Sequence, residues 1–141
     1  MVNLHNKREV MMDTVSLTID WRAANSALPD NQQEAQTQTL FRELRSVDAI
    51  DAVDRVADTQ MPEGAMGAQW LWSVLTAEIP GSALRQAAGE VFDRLRDQPM
   101  ELTIEVDGQS QKIDAKNVHP DDYIQVIDKL VEAAQRMKVA K

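Results

Sequence analysis

Gly67-Ala-Gln-Trp70-Leu-Trp72-Ser-Val-Leu75-Thr-Ala-Glu-Ile79 runs through Pro80-Gly81-Ser82 into Ala83-Leu84 and on to Leu95. Taken as apolar periodicity, this is two helical arms broken by a Pro-Gly-Ser stop and restart, the pattern of a helical hairpin. On a wheel of about 100° per residue, Trp70, Leu71, Val74, Leu75 and Ile79 cover nearly half the circumference, with Trp72 at the far edge. The second arm is narrower, with Leu84, Ala88, Val91, Phe92 and Leu95 in one stripe and Ser82 as its N-cap. Two of the three tryptophans lie in the first arm, so large apolar area is concentrated there. A face that wide needs two neighbours, or one neighbour and a binding partner.

The flanking segments supply a sheet for this hairpin to cover. From Asp13 to Trp21, Val15, Leu17, Ile19 and Trp21 alternate with Thr14, Ser16, Thr18 and Asp20, a half-buried strand. Arg22 to Asn31 is a connecting loop by composition. Asp30, with Gln33 three positions on, forms a capping box for a helix whose apolar face is Leu40, Phe41, Leu44 and Val47. Val47 to Asp51 is expected to turn, and Ala52 to Ala57 to form a strand. Thr59 to Gly67, with one proline and two glycines, is a loop.

After the hairpin, Leu102, Ile104 and Val106 alternate with polar residues, and Asp107-Gly108 is a strong two-residue turn signal. Gln111 to Ala115 returns with Ile113 facing in. His119-Pro120-Asp121-Asp122 opens a last helix, whose apolar face is Tyr123, Val126, Ile127, Leu130, Val131, Ala134 and Met137. The resulting order, β-α-β-αα-β-β-α, gives an α+β fold of about four strands with helices packed on one face. Residues 1–12 carry no clean period and are expected to be a flexible lead-in; 13–141 is expected to be one domain.

Composition narrows the function. The 141 residues are enough for a core without disulfides or metal. Fifteen basic and twenty-three acidic residues give a net charge of −8, and no Lys/Arg cluster offers the positive face that nucleic acid requires. Cysteine is absent, which removes thiolate nucleophiles and zinc–thiolate sites. No apolar run approaches signal-peptide length near the N-terminus or the roughly 20 residues of a membrane span. The expectation is an acidic cytoplasmic protein with neither nucleic acid nor membrane as partner.

The chain offers little catalytic chemistry. His5 and His119 have no second ligand at metal spacing, and His119 before Pro120 reads as a helix-start residue. Asp48, Asp51, Asp54 and Asp58, with Glu63 beyond, lack the glycine and alternating oxygens of a calcium loop and read as a solvated acidic edge. Gly64-Ala-Met-Gly67 is too short for a phosphate loop, and no serine sits in a Gly-x-Ser-x-Gly elbow. No catalytic residue, cofactor or metal is therefore assigned. What remains is surface: Trp70 and Trp72 are either core residues of a large helical layer or, with Met66 from the preceding loop and Met61 nearby, an anchor for another protein. Trp21 fits either core or rim.

In order along the chain, several segments resemble a small bacterial family, the effector-associated constant component. They are Val15–Trp21, the helix ending Leu40-Phe-Arg-Glu-Leu-Arg45-Ser-Val-Asp48, and Ile50–Val56 leading into Pro62-Glu-Gly64-Ala-Met-Gly67. The pair broken by Pro80-Gly81-Ser82 and ending Phe92-Asp-Arg-Leu-Arg96 follows, then Leu102-Thr-Ile-Glu-Val-Asp107-Gly108. The resemblance implies a non-enzymatic adaptor in bacterial conflict or immunity loci, acting with effector modules such as peptidase-like or nucleotide-sensing domains. It carries no catalytic residues. Two alternatives stand beside it: a homo-oligomeric structural domain burying the same face against itself, and a small ligand-binding module or enzyme with a pocket between hairpin and sheet.

Overall fold

A computed structural model of the chain describes residues 14–25, 27–57, 70–96 and 98–139. Strand β1 (Thr14–Asp20) is followed by the single-turn helix α1 (Arg22–Asn25), helix α2 (Asp30–Arg45) and strand β2 (Ala52–Ala57). Strand β3 (Trp70–Pro80) then leads through a 3-10 turn at Gly81–Ala83 into α3 (Leu84–Arg94). Strands β4 (Met100–Val106) and β5 (Gln109–Ala115) form a hairpin, and a 3-10 turn at Pro120–Asp122 opens α4 (Tyr123–Val139). The five strands make one antiparallel sheet in the order β2-β3-β1-β4-β5.

The fold is α+β, as expected, but the helical hairpin is corrected. Its first arm is strand β3, and only the second arm is a helix. The order is therefore β-α-α-β-β-α-β-β-α with five strands rather than four. From Leu75 onward the residues alternate as a strand should: Leu75, Ala77 and Ile79 are buried, Thr76 and Glu78 only partly so. Pro80 and Gly81 end a strand as readily as a helix.

Register fixes which residues share a face. One rung joins Val53, Ala77, Leu17, Ile104 and Gln111; the next joins Arg55, Leu75, Ile19, Leu102 and Ile113. The apolar members of these rungs belong to one continuous core with Leu40 and Leu44 of α2, Leu84, Ala88, Val91 and Phe92 of α3, and Leu130 and Met137 of α4. All three long helices thus cover one face, and Phe92 stacks on Tyr123 with ring centroids 4.5 Å apart. The second face carries the polar alternates. There Ser16 donates to the Glu78 carboxylate at 2.9 Å, and the Thr18 and Thr76 hydroxyls bond at 2.9 Å.

Several local expectations hold and two shift. Ala52–Ala57 is a strand, and His119 stands at the helix start, its Nδ1 accepting from the Asp121 N–H at 3.2 Å. The turn residues Asp107 and Gly108 both have positive φ, 53° and 84°, as a tight two-residue hairpin demands. The capping box at Asp30 does not form: Pro29 occupies the N-cap position without a side-chain bond, and Gln33 donates instead to the Leu28 carbonyl. Nor does Ser82 cap α3, since it lies inside the 3-10 turn. The lead-in 1–12 and the loop from 59 to 67 lie outside the described residues.

Candidate functional site

The irregular start of β3 sets the surface geometry of the molecule. Ser73 has φ 62°, a left-handed conformation that disfavours any residue bearing a Cβ. Two steps along β2, from Arg55 to Ala57, match five along β3, from Leu75 to Trp70, so three extra residues bulge out of the pairing. Bulges of this kind re-aim side chains, and here the residue beside the turn is Trp72.

A buried polar cluster holds the bulge. The Ser73 N–H donates to Thr37 Oγ1 of α2 at 2.8 Å, and the Ser73 carbonyl accepts from the Trp21 N–H at 2.9 Å. Asn25 Nδ2 of α1 donates to Ser73 Oγ at 2.7 Å and also to Gln36 Oε1, which accepts the Trp21 indole N–H at 3.2 Å. Thr37 completes its own bonding by donating to the Gln33 carbonyl at 2.7 Å. Asn25, Thr37 and Ser73 are the buried polar residues among those described. Each buried donor and acceptor named here is paired, which is the condition for such a cluster to fix one conformation.

A second clamp lies one turn away. Arg55 grips both oxygens of Glu34 on α2, at 3.1 and 2.8 Å, and donates to the Leu71 carbonyl at 3.2 Å; its buried Nε has no partner among the described residues. The hydrogen bonds from Arg55 hold the Glu34 carboxyl below the usual range despite its desolvation, with help from the Gln38 amide. β3 is therefore held on both sides of Trp72, by Arg55 of β2 at Leu71 and by Thr37 of α2 at Ser73.

Trp72 itself is 37% exposed, and with Ile124 of α4 it forms the set of exposed large hydrophobics among the described residues. Trp21 is wholly buried, which assigns it to the core. Trp70 pairs with Ala57 through its backbone; its side chain, like Met61 and Met66, lies outside the described residues. The expected constellation of Met66, Trp70 and Trp72 is thus represented by Trp72 alone. On a strand, Trp70 and Trp72 do not occupy the separate helical positions assigned to them.

The other candidates are exposed and scattered. Asp48, Asp51 and Asp54 point to solvent, while Asp58 and Glu63 lie outside the described residues. Among the described residues no group of three acidic or histidine side chains is placed to hold a metal ion. A cleft of about 240 Å³ is lined by Asp20, Arg22, Ala23, Glu101 and Lys116. Its walls come from the end of β1, the single-turn helix α1, the start of β4 and the residue after β5. Burial works to raise the Asp20 pKa, but the side-chain and backbone hydrogen bonds from Arg22 outweigh it and hold the carboxyl low. Glu101 lies near Lys112 Nζ at 3.5 Å and Lys116 Nζ at 3.7 Å. The charges lining the cleft already neutralise one another.

The chain matches the family model for Effector Associated Constant Component 1 over residues 29–135. It belongs to that family. No curated protein and no solved structure gives a significant match. The span matched to Effector Associated Constant Component 1 takes in α2, the whole bulge of β3 and most of α4, while β1 and α1 precede it. Thr37, Gln36 and Ser73 therefore lie inside the family match, and Trp21 and Asn25 outside it. The family name associates its members with effectors. No described helix is long and apolar enough to cross a membrane.

Proposed function

We propose that this chain is a non-enzymatic adaptor of a bacterial conflict or immunity effector system, acting in the cytoplasm by protein–protein contact, with Trp72 as its anchor. Membership in an effector-associated family supports the setting. The observation that carries the contact is the exposed Trp72 on a bulge held on both sides by hydrogen bonds, a part-buried one at Leu71 and a buried one at Ser73. An adaptor gains from such a side chain because a pre-positioned indole loses little conformational freedom on docking. The mutual pairing of charges around the Asp20 cleft favours a contact role over acid–base chemistry.

The test is calorimetric titration of the chain with the effector module encoded beside it. Trp72→Ala is expected to weaken binding by about 2 kcal/mol, some thirtyfold in affinity, with the far-ultraviolet dichroism unchanged. Unaltered affinity in a folded Trp72→Ala variant overturns the anchor. Failure of the wild-type chain to bind any neighbouring effector module overturns the adaptor reading.

A further inference from the structure

The sheet has two edges of different character. At one, β2 loses its register with β3 after Arg55. At the other, β5 keeps unbroken register with β4 through all seven residues, with no bulge and no proline. Bulges and broken register are the usual protection of an edge against further pairing, so β5 is the edge left able to accept a strand. The tight turn at Asp107-Gly108 makes Val106 and Gln109 the hydrogen-bonded closing pair. By alternation Gln109, Gln111, Ile113 and Ala115 direct their backbone groups to β4, and Ser110, Lys112 and Asp114 direct theirs outward.

The side chains along this edge select the occupant. Two copies of β5 joined antiparallel about a two-fold axis must pair residues of the same face, so the axis passes through a single residue. Centred on Lys112 or on Asp114, the axis sets like charges opposite each other. Centred on Ile113, it sets Lys112 opposite Asp114 of the second copy, and Asp114 opposite Lys112 of the second copy. The same register brings together the outward backbone groups of residues 112 and 114 and apposes the two Ile113 side chains on the helix-covered face. A lysine in mid-edge ordinarily blocks pairing; the carboxylate two residues on reverses that in this register.

We infer that the β5 edge is a self-association surface that joins two copies of the chain into one ten-stranded antiparallel sheet centred on Ile113. β2 and β3 lie at the far side of each sheet, so the dimer keeps both Trp72 bulges away from the join and presents them as a divalent contact. The interface is independent of the anchor at Trp72 and stands or falls separately from it.

Sedimentation equilibrium of the full chain, run to millimolar concentration, tests this with two variants at exposed positions. Wild type is expected to reach twice the chain mass. Lys112→Asp places Asp opposite Asp, and Asp114→Lys places Lys opposite Lys, so each raises the dissociation constant about tenfold or more. Mixed in equal amounts, the two variants restore opposite charges in both pairs and are expected to associate with each other as wild type does. Wild type that stays monomeric, single variants that associate like wild type, or a mixture that stays monomeric would each overturn the proposal. Matching thermal melts keep loss of folding from imitating loss of pairing.

Discussion

Trp21→Ala is expected to lower the unfolding free energy by about 3–5 kcal/mol in a urea titration, the largest loss expected of any single substitution considered. Trp21 follows β1 and is wholly buried, so its removal leaves a cavity at the junction of α1, α2 and β3. It also takes away the indole N–H that bonds Gln36, while the backbone N–H to the Ser73 carbonyl survives. Trp21→Phe keeps most of the volume and loses only that bond, so it is expected to recover more than half of the deficit. A loss below about 1 kcal/mol for Trp21→Ala would place the side chain at the rim and remove one wall of the polar cluster.

Thr37→Val is expected to cost about 2 kcal/mol in the same titration. The two side chains are nearly isosteric, so packing is little changed. What changes is that the Ser73 N–H, buried beneath α2, is left without an acceptor. That penalty falls on a residue already in a left-handed conformation, and the bulge loses its hydrogen bond to Thr37 of α2. Thr39→Val is the control. Thr39 lies in the same helix and donates to the Ala35 carbonyl in the same manner, but it is exposed and accepts nothing from β3. It is expected to change stability by no more than about 0.5 kcal/mol. Equal effects at the two sites would show that the Thr37 hydroxyl has no part in holding β3.

The contrast between these positions shows where local pattern suffices. β1, the Asp107-Gly108 hairpin and the buried stripes of α3 and α4 follow from alternation, turn residues and helical spacing, all read within a few residues. The bulge of β3 breaks its alternation: Leu71 and Trp72, then Val74 and Leu75, are apolar doublets that imitate a helical face. The period of two returns only in Leu75-Thr-Ala-Glu-Ile79, where half the strand has already passed. The excess of apolar circumference attributed to the helix had a physical source, but the source was a strand with residues displayed on both faces. Ser73, a lone polar residue in that run, was the available signal for the bulge.

The polar cluster has no local signature in the sequence. Ser73 and Thr37 are 36 positions apart, and nothing local in either segment announces the other. Asn25 lies in a stretch whose composition predicts a loop, yet it forms a helical turn and is buried where α1 meets Ser73. Asp30 shows the converse: a correct capping pattern that a preceding proline displaced. Local rules state what a segment prefers, and tertiary hydrogen bonds decide which preference survives.

The exposure of Trp72 can be measured directly by acrylamide quenching in a chain whose other tryptophans, Trp21 and Trp70, are replaced by phenylalanine. The indole of Trp72 is expected to be quenched several times more strongly than that of a companion chain keeping only Trp21. Equal shielding of the two indoles in the folded protein would contradict an outward Trp72, and with it the contact surface on which the adaptor role rests.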